Sequence, residues 1–142
     1  AGAVLFWCSS IRNVTEHEDV LRFSQRVRAV TPPTARIAIS EVGAFGFYTD
    51  RYIVDPVGLV DGDALQWNRA HGRATSGGEL EAFLRHRRAD YYVDAFAQDA
   101  SRASPEPFLE YVLEGSVQRN NLSAGHTSVP ATWRLYRVVS GR

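Results

Sequence analysis

The stretch Ile37 to Asp61, IAISEVGAFGFYTDRYIVDPVGLVD, constrains the fold of this chain more than any other. It holds two apolar, β-rich runs, Arg36 to Ser40 and Tyr52 to Val54, the second ending at Asp55. Runs of this kind, without polar alternation, mark strands buried on both faces, as in α/β sheets. Between them two glycines stand in the frame Gly43-Ala44-Phe45-Gly46, and Tyr48-Thr49-Asp50-Arg51 reads as a turn. Asp55 follows Gly46 by nine residues, which leaves no room for a crossover helix. The expected order is therefore strand, tight loop, strand.

The same count argues against a dinucleotide site. Such a site needs GxGxxG after a strand, then a helix, then an acidic residue about twenty positions on. No nicotinamide or flavin is expected, and no other cofactor is implied.

Helical patterns flank the stretch. Val20, Phe23, Val27 and Val30 recur at helical spacing behind a capping-box pattern, Thr15-Glu16-His17-Glu18, and Pro32-Pro33 stops that helix. A turn around Asp61 to Asp63 precedes a short polar helix near Leu65 to His71, ended by Gly72. Ser76 to Glu79 repeats the capping-box spacing ahead of Leu80, Phe83 and Leu84. The last turn of that helix carries Arg85, His86, Arg87 and Arg88, which suit the negative end of the helix dipole better than a phosphate site. Asp90 to Phe96 reads as a third strand. Ser104-Pro105 reads as the start of a helix with Phe108, Tyr111 and Val112 inward and Gly115 as its cap. Val117 to Leu122 reads as extended, Ser123 to Pro130 as a polar loop and Trp133 to Val139 as a closing strand. Alternating strands and helices predict one α/β domain over residues 1–142. Its sheet is largely parallel, with four to five strands flanked by helices in Rossmann-like layering and an antiparallel edge strand.

Composition narrows the chemistry. Sixteen basic residues balance sixteen acidic ones, so no global field draws nucleic acid to the chain. All sixteen are arginine, which reads as the mark of a GC-rich prokaryotic genome. Cys8 is the only cysteine, and the four histidines, His17, His71, His86 and His126, never fall at ligand spacing. A disulfide framework and a metal site are not expected. Ser40, Ser76 and Ser101 lack the GxSxG context of a hydrolase elbow. The chain begins AGAVLFWCSS without Met, which reads as a piece of a longer protein. Ala3 to Cys8 is too short to cross a bilayer, which takes about 20 residues. Residues 1–13 read either as a first strand or as a membrane-proximal segment.

Three carboxylates remain as candidates for binding. Glu41, Asp55 and Asp61 stand where strand ends converge on ligands in α/β folds. The alternative is that Asp55 caps a turn and Asp61 caps the next helix. Phe45, Phe47 and Tyr48 offer aromatic faces to a sugar ring or, alternatively, belong to the core.

The succession Ile37-Ala38-Ile39-Ser40-Glu41-Val42-Gly43-Ala44-Phe45-Gly46-Phe47-Tyr48, then Ile53-Val54-Asp55-Pro56-Val57-Gly58-Leu59-Val60-Asp61, resembles the C-terminal extracytoplasmic domains of C-type glycosyltransferases. These are polytopic membrane enzymes that use polyprenyl-phosphate sugars, with bacterial arabinofuranosyl- and mannosyltransferase-like members. The segment HRRADYYVDAF is similar to another part of that family, so the resemblance covers Val14 to Phe96. Glu41 departs from it, since the family often has Asp or another small polar residue there. The resemblance implies a cell-membrane address on the extracytoplasmic face and the membrane-embedded remainder of the same polypeptide as partner. It also implies a glycan or lipid-linked acceptor nearby and no catalytic residue in this domain. Glu41, Tyr48, Asp55 and Asp61 become the ligand-facing candidates, and Gly43, Gly46, Gly58 and Leu59 the structural signature. Two other readings stay open, a free-standing small-molecule-binding module and a structural or oligomerisation domain.

Overall fold

The computed structural model describes residues 17–74, 76–97, 106–121 and 127–139. Helix α1 runs over 17–30. It is followed by β1 (Arg36–Ile39), α2 (Val42–Thr49), β2 (Tyr52–Val54), α3 (Gly62–His71), α4 (Gly77–His86), β3 (Tyr91–Ala97), β4 (Leu109–Asn121) and β5 (Thr127–Val138). The five strands form one sheet in the order β2-β1-β3-β5-β4. β1 is parallel to β2 and to β3, whereas β5 is antiparallel to β3 and to β4. The fold is α/β with a mixed sheet, its centre parallel and its edge an antiparallel hairpin.

Each face of the sheet has its own core. Ile37 and Ile39 point to one side, where Val20, Phe23 and Val27 of α1 and Phe45 of α2 meet Val93, Trp133 and Leu135. Ala38 and Val54 belong to the other, with Ala64 of α3, Leu80, Phe83 and Leu84 of α4, and Tyr136. β1 is apolar at Ile37, Ala38 and Ile39 because both of its faces are covered. The α1 stripe ends one turn early: Val30 is half exposed, just before Pro32-Pro33 turns the chain toward β1.

The expected tight loop between β1 and β2 is a helix. Twelve residues separate Ile39 from Tyr52, and eight of them form α2. A parallel crossover needs only to span its own strand. A four-residue strand is about 13 Å long, and an eight-residue helix about 12 Å. Short strands therefore make a short crossover sufficient. Phe45 and Thr49, four residues apart, face the core, and the Thr49 hydroxyl donates to the Phe45 carbonyl at 2.9 Å. Asp50 ends the helix in the left-handed region.

A second correction concerns residues 109–121, expected to begin as a helix and observed as β4. Ser104 and Pro105 lie outside the described residues. Phe108, Tyr111 and Val112 mimic a helical stripe, although Phe108 precedes the strand and Tyr111 and Val112 stand at a bulge between Tyr111 and Leu113. Twelve register pairs with β5, from Leu109 with Val138 to Asn121 with Thr127, override the local pattern. Tyr111 is half exposed rather than inward. The expected polar loop over Ser123 to Pro130 is corrected at its end, where Thr127 to Pro130 belong to β5; Ser123 to His126 lie outside the described residues. Among the described residues Pro130 pairs with Gln118 of β4 alone, the nearest β3 pair being Ala97 with Thr132.

Gly115 is not a helix cap but the strand position on which α1 rests. A Cβ there would lie 2.7 Å from Cδ2 of Phe23, whose ring is buried against Phe45 and Trp133. Gly115→Ala is therefore expected to cost about 2 kcal/mol in chemical denaturation by overpacking. An unchanged midpoint would show that α1 can lift from the sheet.

The capping box at Ser76 is also corrected. Ser76 occupies the N-cap of α4 without a side-chain bond, and Glu106 accepts the Gly77 N–H instead, at 3.1 Å. The Ala3 to Cys8 segment lies outside the described residues, as do Thr15 and Glu16 of the first capping box.

Candidate functional site

The β2–α3 connection is built around one buried carboxylate. Asp55 directly follows β2 and is 1 % exposed. Its Oδ1 accepts the Val57 N–H and its Oδ2 the Val60 N–H, each at 2.9 Å. Its carbonyl accepts the Gly58 N–H at 3.2 Å. From α3, Asn68 Nδ2 donates to the Pro56 and Val57 carbonyls at 2.8 and 3.1 Å. Gly58 completes the turn at φ +80°, and a Cβ there would lie 2.7 Å from the Leu65 nitrogen. The loop is thus tied down from within and from below.

Asp61 continues the same design. Its Oδ1 accepts the N–H groups of Asp63 and Ala64, at 3.1 and 3.2 Å, and so caps α3. Its Oδ2 pairs with Arg87, which also reaches Asp63 at 3.0 Å. Burial works against the Arg87 cation, but the hydrogen bond to Asp63 and the charges of Asp61 and Asp63 outweigh it and hold its pKa above the ordinary value. Arg87 links the end of α4 to the start of α3.

The remaining candidates are spread along α2. Glu41 takes its N-cap position without a side-chain capping bond, at the carboxyl end of β1. Gly43 has nothing within 4 Å of an added Cβ, whereas Gly46 lets the helix approach β2, its Cβ position 3.0 Å from Ile53 Cγ1. Tyr48, near the other end of α2, hydrogen-bonds His17 through its hydroxyl and meets that ring edge-on. The aromatic trio divides: Phe45 is fully buried, Tyr48 half-buried and Phe47 82 % exposed.

The structure therefore gathers Asp55, Gly58, Leu59 and Asp61 into one loop and sets Glu41 and Tyr48 near opposite ends of α2. The hydrogen bonds of Asp55 and Asp61 follow the capping alternative, with all four carboxylate oxygens engaged by backbone or by Arg87. Among the described residues no group of three or more His, Cys, Asp or Glu side chains is placed to hold a metal ion.

Three features escape the sequence. Asn68 and Arg87 reach the loop from 12 and 26 residues away, which no local motif announces. Arg134 stands in register between Asp94 and Glu114 across three strands, bonded to Glu114 at 3.2 Å. Burial pushes the neighbouring Tyr136 hydroxyl above its ordinary pKa, against the hydrogen bond from Arg134. The third is an aromatic stack, the indole of Trp67 lying near-parallel to His71 and to His86 at 4.1 and 4.4 Å.

No curated protein and no solved structure matches the chain. Residues 10–139, nearly its full length, match the family described as Domain of unknown function (DUF8728), and the chain belongs to that family.

Proposed function

We propose that this chain is an extracytoplasmic accessory domain of a membrane glycosyltransferase-like protein. It performs no catalysis of its own and positions a glycan or lipid-linked acceptor for the membrane-embedded part. The observation that supports this reading is that four residues of the resembling stretch hold the local fold together. Gly46 seats α2 on β2, Asp55 organises the following turn, Gly58 permits it and Asp61 starts α3. Residues that hold one β-α-β-α unit together are those that a shared architecture would have in common. Their engagement in backbone hydrogen bonds also fits a scaffold, because a catalytic carboxylate must be able to exchange protons or contact a substrate.

The test is the coding sequence upstream of Ala1. The reading expects several stretches of about 20 apolar residues there, each long enough to cross a bilayer. A frame that lacks them would refute it. Among the described residues themselves, no helix is long and apolar enough to cross a membrane.

A further inference from the structure

The β2–α3 loop holds outward the side chains that folding normally hides. Leu59 and Val60 are each 75 % exposed, and Leu65, in the first turns of α3, is 38 % exposed. Gly58, the residue before the pair, lies close against the same part of α3, since a Cβ built on it would lie 3.1 Å from Leu65 Cβ. Scattered exposed aliphatics are ordinary. This pair is different because its backbone is pinned.

The polar groups beneath the pair already have partners. The N–H groups of Val57, Gly58 and Val60 all end on Asp55, and Pro56 has none to satisfy. The carbonyls of Pro56 and Val57 are taken by Asn68. Asp55 is buried and Asp61 is paired with Arg87. The turn under the pair is therefore held by its own hydrogen bonds, so the two apolar side chains can enter a lipid interface without the loop refolding. Cations follow along α3 and just past its end. Arg69 follows Leu65 by one helical turn on the exposed side of α3, and the exposed Arg73 follows just past the helix end. Arginine beside an apolar patch reaches lipid phosphates while its stem stays in the interface.

We propose that this edge of the domain lies against an anionic lipid surface. Leu59, Val60 and Leu65 enter the interfacial layer, and Arg69 and Arg73 meet the lipid phosphates. The biological setting rests on the accessory-domain reading above, but the contact is a property of this chain and is tested on it alone.

Cys8, the only cysteine, is replaced by Ser, and Leu59→Cys or, as control, Gln25→Cys on the exposed side of α1 carries an environment-sensitive fluorophore. Each protein is mixed with phosphatidylglycerol-containing vesicles. The expected result is a blue shift at position 59, quenched by doxyl-labelled lipid, with no shift at position 25. In co-flotation of the otherwise native chain, the double change Leu59→Ser and Val60→Ser lowers the vesicle-bound fraction at least tenfold. Arg69→Glu with Arg73→Glu does the same on anionic vesicles. All four positions are exposed, and denaturation midpoints confirm that the variants fold. A label at 59 that stays in water, or shifts no more than at 25, overturns the proposal, as does native-like flotation of either double variant. That outcome leaves the accessory-domain reading intact, because that reading stands or falls on the upstream sequence.

Discussion

Gly58→Ala is expected to destabilise the domain by about 3 kcal/mol, combining left-handed backbone strain with overpacking. Gly58 sits at φ +80°, where a side chain is strained whatever the space around it. The added Cβ would also meet the nitrogen and Cα of Leu65 at 2.7 and 2.8 Å. These are backbone atoms at the start of α3, so relief requires the helix to move away from the loop. Gly43→Ala provides the contrast. Gly43 lies within α2 with open space around its Cβ position, and alanine there is expected to stabilise by about 0.5 kcal/mol through helix propensity. Urea denaturation of the two variants should move the midpoint in opposite directions. A Gly58→Ala protein as stable as the parent would mean that the loop is not the fixed structure described above.

Asp55→Ala is expected to cost a similar amount, about 3 kcal/mol, because two part-buried backbone donors lose their buried carboxylate acceptor at once. The carboxylate is 1 % exposed, so water cannot readily replace it. Asp55→Asn is expected to recover part of the loss, since one side-chain oxygen remains to accept a hydrogen bond. Stability alone would not separate this from general damage to the core. Hydrogen exchange does, because the amides of Val57 and Val60 are the ones that end on the carboxylate. They should lose protection in Asp55→Ala while the Ile37 and Ile39 amides of the central strand keep theirs at matched stability. Uniform loss across the domain would sink the proposed local role. The exposed apolar pair depends on the same carboxylate, so Asp55→Ala should also weaken vesicle binding even where the domain stays folded.

Much of the fold is legible wherever the signal is long or local. The stripe of Val20, Phe23 and Val27 marks α1, and Leu80, Phe83 and Leu84 mark α4, because amphipathic helices of several turns repeat their pattern. The strands at Arg36, Tyr52 and Asp90 show as β-rich apolar runs bounded by turn residues. α2 gives no such pattern. VGAFGFYT is apolar around its whole circumference and lasts two turns, so no periodicity separates its buried Phe45 from its exposed Phe47. The start of β4 misleads in the opposite direction, since Phe108 just before the strand and Tyr111 and Val112 at its register shift stand at helix-like spacing.

The candidate site divides in the same way. The capping roles of Asp55 and Asp61 lie within reach of the sequence because their partners are two to five residues away. Local chain geometry is enough to bring such groups together. Arg87 and Asn68 could be assigned no role in the loop until α3 and α4 were packed beside it.

By itself the sequence determined the α/β class, the positions of the central strands and the two aspartates that begin and end the loop. Each of these depends on hydrophobic pattern or on hydrogen bonds between near neighbours. Only the tertiary structure decided that the Ile37 to Asp61 stretch contains a crossover helix, that 109–121 is a strand, and that Leu59 and Val60 stand exposed on a pinned loop. Those outcomes are set by contacts between residues distant in the chain. Cross-strand pairing, packing across the sheet and ion pairs between helices override local preference there.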